Sequence, residues 1–236
     1  MRYEKAVWAI EKFVSPRITS INKPNKNIQL LSYHIPKTAG SSLRSSFEDN
    51  ISSIRIFGAY LNSGATELSK GHSVWVPKKT LILHGHFKPH DNHSKMFPNA
   101  LKITWVRDPI ERVFSLVRHL MMVGEVHPHF QMIKKIYPDC SMNDIEKVVS
   151  DMVTNNTLPL FTNTYTHFFS NTSIESLDFV GSVHNYNDDL KRLSELSNYS
   201  LTPSLKNVRG KPVNEKFKRG LRTYLRHEYE IVERYL

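Results

Sequence analysis

Tyr33-His34-Ile35-Pro36-Lys37-Thr38-Ala39-Gly40-Ser41-Ser42-Leu43 follows the apolar run Ile28-Gln29-Leu30-Leu31 and leads into a segment, Ser42 to Asn50, with helical character. A strand, then a tight loop carrying a lysine and small hydroxyl residues, then a helix start is an arrangement that holds a phosphate. The first N–H groups of a helix lack intrahelical partners, and the helix dipole adds partial positive charge at that end. Lys37 adds a full charge, and Thr38, Ser41 and Ser42 add hydroxyl donors. Gly40 lets the backbone come close to a ligand. The stretch reads as an anion cradle and points to a nucleotide site on an α/β scaffold.

A Walker A loop requires Gly-x4-Gly-Lys-Ser/Thr, whereas Pro36 precedes Lys37 here and no glycine lies upstream in the loop. A second element follows about seventy residues later. Leu101-Lys102-Ile103-Thr104-Trp105-Val106 has the apolar, β-branched content of a buried strand. It runs into Arg107-Asp108-Pro109, with Pro109 at a position where a helix tolerates proline. Ile110, Val113, Phe114, Val117 and Leu120 then mark one helical face. Arg107 therefore ends a strand and Ser115 lies two turns into the next helix. A guanidinium fork and a hydroxyl so spaced suit a second phosphate; a surface salt bridge from Arg107 to Asp108 or Glu111 is the alternative.

Between the two lies Leu81-Ile82-Leu83-His84-Gly85-His86-Phe87, a short strand broken at Gly85. Strand alternation places His84 and His86 on one side. Histidine suits a general base because its reference pKa is about 6.5. With His90 and His93 close by, a metal site or a plain polar loop are the alternative readings.

The stretch 33–43 resembles the 5′-phosphosulfate loop of sulfotransferases, in the branch that includes the heparan and chondroitin sulfotransferases. Arg107-Asp108-Pro109 with Ser115 resembles that family's 3′-phosphate motif. The resemblance implies an α/β, P-loop-like sandwich with a central, mostly parallel β-sheet flanked by helices. It implies 3′-phosphoadenosine 5′-phosphosulfate (PAPS) as donor and 3′,5′-adenosine diphosphate (PAP) as product, with no metal required. By resemblance, Lys37, Thr38, Ala39, Gly40, Ser41 and Ser42 hold the 5′-phosphosulfate, and Arg107 and Ser115 hold the 3′-phosphate. The His-Gly-His element resembles that of the heparan sulfate 2-O-sulfotransferase group. This implies His86 as base, with His84 as helper or acceptor contact. The basic loop 207–212 implies Arg209 and Lys211 as further donor contacts, a solvated turn being the alternative. At Gly181-Ser182-Val183-His184 the chain departs from the family's Gly-Arg-x-Glu.

The chain has 236 residues, 39% of them hydrophobic, with a formal net charge of +10. This fits one folded domain, 1–236, with 1–27 as an N-terminal helix and linker and 28–236 as the core. The charge favours anionic partners, a nucleotide donor and a saccharide or polysaccharide acceptor among them, and no nucleic-acid motif accompanies it. Cys140 is the sole cysteine. With no apolar run long enough to span a membrane, it leads to the expectation of a cytoplasmic protein. Carbohydrate O-sulfation is the expected function. Two rivals are a small P-loop kinase using magnesium-ATP through Thr38 and Asp108, and a non-catalytic polyanion-binding protein on the same scaffold.

Three expectations concern elements away from these motifs. Residues 3–14 form an amphipathic helix, with Val7, Ile10 and Val14 along one face beside Tyr3. Residues 52–57 form a strand. Helical pieces across 125–170 are broken at Pro128, Pro138 and Pro159; by resemblance such helices line the acceptor cleft, which implies Arg118, His119 and His127 as acceptor contacts, solvated helix faces being the alternative.

Overall fold

The computed structural model of the chain describes residues 2–203 and 213–236, so Arg209 and Lys211 lie outside the described residues. Among the described residues seven strands form: β1 (Ile18–Thr19), β2 (Leu30–Tyr33), β3 (Ile56–Ala59), β4 (Val74–Trp75), β5 (Ile82–Gly85), β6 (Leu101–Val106) and β7 (Phe179–Ser182). Five of them make one sheet in the order β3-β5-β2-β6-β7, all parallel, while β1 and β4 pair antiparallel beside it in the chain. The strands of a parallel sheet are covered on both faces and so read as continuous apolar runs. Every residue of β2 and β5 is buried, Ser32 and His84 included.

The sheet order determines where a ligand can bind. From β2 the chain builds outward on one side through β3 and β5, then crosses back to build β6 and β7 on the other. The carboxyl end of β2 is therefore the topological switch point, the place where open α/β sheets bind ligands. The loop 34–39 leaves from that end.

The chain divides into two compact units, one formed by Met1–Val106 with Phe168–Val208 and the other by Arg107–His167 with Arg209–Leu236. The first contains the sheet, with a core of Leu30, Phe47, Ile82, Ile103, Trp105 and Leu190 among others. The second is helical and is centred on Val113, Val117, Ile133, Val149, Met152 and Tyr229.

Several local expectations are refined. The strand expected over 52–57 forms only from Ile56, as β3, and is preceded by a 3-10 turn, Ser53–Arg55. The helical pieces across 125–170 are broken at the prolines as expected, and Pro128 and Pro159 each occupy the first turn of the helix that follows the break. Helix α1 (Arg2–Val14) forms, but Tyr3, Ile10 and Val14 are exposed. The side turned inward carries Glu4, Val7, Trp8 and Glu11, because Glu4 accepts from Ser53 Oγ, Glu11 accepts from Lys78 N–H, and Trp8 packs edge-on against Phe57.

Candidate active site

In the first unit, the loop after β2 turns at Pro36–Lys37 and enters helix α2 (Gly40–Asn50) through Ala39. Lys37 and Ala39 both adopt the left-handed region, at φ 72° and 63°. For non-glycine residues this costs about 1–3 kcal/mol each, and such strain concentrates where a backbone is shaped for a ligand. The early N–H groups of α2 are directed at the loop's mouth.

Two loop residues are arranged differently from the sequence-based expectation. The Thr38 hydroxyl points inward, 1% exposed, and donates to the Ile35 carbonyl at 2.8 Å, so it braces the turn. Thr38 can serve an anion through its backbone, not as a free hydroxyl donor. Gly40 is needed for a neighbouring side chain: a Cβ there would lie 1.9 Å from His34 Nε2. Ser41 is exposed and Ser42 half-buried at the helix start.

His34 is the residue that sequence reasoning missed. Its ring stacks on His84, with centroids 5.0 Å apart and planes at 20°, and meets His86 at 4.6 Å. The three histidines leave the carboxyl ends of the adjacent strands β2 and β5. His84 is fully buried, within 2.8 Å of Ser32 Oγ through Nδ1, so it supports the cluster from beneath. His86, just past the end of β5, is exposed, with Tyr60 packed T-shaped against it, ring centroids 5.0 Å apart.

Burial drives the titration of all three. It lowers His84 to about 3, with the charges of Arg44 and His86 adding to the effect. It holds His34 well below the ordinary 6.5, helped by His84, His86 and Lys37. Partial burial lowers His86 as well. All three rings are thereby biased toward the neutral imidazole, and His86 is the one among them that is exposed, as a general base must be.

The neighbouring histidines have other roles. His93 is buried between the Tyr33 hydroxyl at 3.0 Å and the Leu68 carbonyl at 2.9 Å, a structural position. Among the described residues no three His, Cys, Asp or Glu side chains gather as metal ligands.

The second unit begins at Arg107, which follows β6 directly in the chain. Asp108 caps the helix Pro109–Val123: its Oδ1 accepts from Ile110 N and Glu111 N at 3.0 Å each. The Tyr229 hydroxyl donates to Oδ2 at 2.8 Å. Tyr165 fixes the Arg107 backbone, accepting from its N–H and donating to its carbonyl. The Arg107 guanidinium rests on Glu111 at 3.2 Å, and Glu111 also takes Lys218 at 3.0 Å. The salt bridge considered as an alternative therefore exists, but it engages Nε and leaves further N–H donors on a side chain that is 25% exposed. Ser115 is half-buried two turns along the same helix. Of the other candidates, Arg118 lies over the Phe114 ring and His127 caps the helix Pro128–Ile136.

A family model described as the sulfotransferase family matches residues 23–232, nearly the whole chain. The chain belongs to the sulfotransferase family. Members of this family take the sulfuryl group from PAPS and release PAP. Among solved structures, a sulfotransferase from Alicyclobacillus acidocaldarius is 10% identical with a TM-score of 0.44, covering 88% of this chain and 94% of its own. Mouse sulfotransferase SULT7A1 complexed with PAP is 11% identical with a TM-score of 0.38, covering 86% and 66%. No curated protein sequence matches. Membership makes this sulfotransferase an enzyme of sulfuryl transfer and leaves the magnesium-ATP reading without support. The two groups that reading requires are also engaged elsewhere, Thr38 with Ile35 and Asp108 with its own helix and Tyr229. Among the described residues no helix is long and apolar enough to cross a membrane.

The cradle yields one direct expectation. Gly40→Ala drives a methyl into the His34 ring, and the strained loop must open to relieve it. PAP affinity falls at least tenfold by calorimetry, while Gly40→Ala combined with His34→Ala recovers most of it. Equal loss in the single and double variants would refute the contact as the cause.

Proposed function

We propose that this sulfotransferase moves a sulfuryl group from PAPS to a hydroxyl of a carbohydrate, with His86 as the base and Lys37 at the leaving phosphate. The observation that carries the reading is the common origin of the Lys37 loop and His86 at the carboxyl ends of the paired strands β2 and β5. The backbone from Thr38 to Ser42 and the start of α2 hold the 5′-phosphosulfate. Arg107 and Ser115 take the 3′-phosphate, the group that separates PAPS from ATP. Arg209 and Lys211 belong to the same proposal as additional donor contacts.

In the proposed step the acceptor oxygen bonds to sulfur as the bond from sulfur to the bridging phosphate oxygen breaks. His86 takes the acceptor's hydroxyl proton. The electron pair of the broken bond stays on the 5′-phosphate of PAP, where the Lys37 ammonium meets the growing charge. Protein cations neutralise that charge, so the scheme assigns no step to a metal. Cys140, alone in the sequence, fits a reducing compartment, and we place the enzyme in the cytoplasm.

Calorimetric titration with PAP, and with ATP in the presence and absence of magnesium, tests the donor assignment. We expect tight, metal-independent PAP binding that weakens tenfold or more in Arg107→Ala, in line with a charged hydrogen bond worth about 1.5–3 kcal/mol. Preference for magnesium-ATP, or an Arg107→Ala variant that binds PAP normally, would overturn the 3′-phosphate assignment.

A further inference from the structure

A cavity of about 640 Å³ lies within the first unit, walled by α1, α2 and the segment following β3. Its volume falls within the roughly 300–1,000 Å³ of small-molecule sites. Tyr60 lines it and also packs T-shaped with His86, ring centroids 5.0 Å apart, so one residue joins the cavity wall to the candidate base.

The chemistry of that wall is specific. Trp8, Phe57 and Tyr60 supply aromatic surface, and Trp8 meets Phe57 edge-on at 5.3 Å. The Trp8 Nε1 is buried and has no hydrogen-bond partner among the described residues. Asn62 contributes an amide. Arg44 pairs with Glu48 at 2.7 Å; its bonds to Glu48 and Tyr60 outweigh the lowering effect of burial and keep the guanidinium charged.

Among the side chains of the lining, two cations, Lys5 and Arg44, stand with two carboxylates, Glu4 and Glu48, so cations are not in excess, in a chain whose formal net charge is +10. A polyanionic acceptor calls for cations in excess. A simple phenol would strip water from the Arg44–Glu48 pair and the Asn62 amide, and return one hydroxyl. A neutral sugar has an apolar ring face for the aromatics and several hydroxyls for those polar groups.

We infer that this cavity is the acceptor subsite and that its occupant is an uncharged sugar residue. The inference rests on the sulfuryl-transfer reading above. It narrows the acceptor to neutral oligosaccharides or glycosides and away from uronate-rich or sulfated polymers.

The test measures binding of lactose, cellobiose, a heparin tetrasaccharide and 4-methylphenol to the PAP-saturated chain by calorimetry and saturation-transfer NMR. Wild type, Trp8→Ala and Asn62→Ala are compared, with PAP affinity measured on each. The expected result is that at least one neutral disaccharide binds wild type and weakens tenfold or more in both variants, with PAP affinity unchanged. Three results overturn the inference: neither disaccharide binds, disaccharide binding survives both substitutions, or the heparin fragment or the phenol is the probe that Trp8→Ala expels. Failure of PAP to bind wild type would instead bring down the sulfuryl-transfer reading, so the two failures are separable.

Discussion

Lys37→Ala lowers kcat by about 10²–10³-fold, the usual cost of removing one preorganised donor aimed at developing charge. The substitution is clean for a backbone reason. Lys37 sits at φ 72°, and alanine shares lysine's reluctance to adopt that region, so the turn is neither relaxed nor further strained. Glycine would be a poor choice, because it would loosen the loop and remove the charge together. The loss belongs in kcat more than in PAP affinity, since negative charge on the bridging oxygen grows only as the sulfuryl group departs. Lys37→Arg keeps the charge but replaces a point ammonium with a planar fork, and is expected to recover part of the rate. Single-turnover measurements with saturating PAPS check this. A Lys37→Ala enzyme with normal kcat and a raised KM would show that the lysine only binds the donor.

How much of this site can be read from sequence depends on whether the relevant contact is local. The 33–43 loop, the strand 101–106 and the cap at Asp108 followed by Pro109 are decided by residues adjacent in the chain, and they form as the local chemistry dictates. The role of His34 was hidden, because its stacking on His84 exists only once β2 and β5 lie side by side, fifty residues apart in sequence. Helix α1 illustrates the opposite error. Apolar periodicity put Val7, Ile10 and Val14 on one face beside Tyr3, whereas two carboxylates with partners in later segments and one indole set its rotation and leave Tyr3, Ile10 and Val14 exposed. Segments distant in the chain also wall the cavity proposed as the acceptor subsite, so no motif announces it.

His86→Asn should lower kcat by about 10²–10⁴-fold, the range for loss of a general base, and leave PAP binding within a factor of two or so of wild type, because the base serves the acceptor. The pH dependence separates this role from a structural one. Burial places the His86 pKa in the free enzyme below the ordinary 6.5. The base is competent when unprotonated, so kcat/KM rises with pH through that lowered value and is level above it. In the ternary complex the anionic donor favours the imidazolium and pushes the pKa back up, so the rise in kcat lies at higher pH than the rise in kcat/KM. His86→Asn abolishes both rises and leaves a low, level profile. His84, fully buried and bonded to Ser32, should behave differently: His84→Asn weakens the support beneath His34 and His86 and reduces the rate, yet keeps the rise with pH. A wild-type profile that is level from pH 5 to 8 with chemistry limiting, or a His86→Asn enzyme that retains the rise, would remove His86 from the role of base.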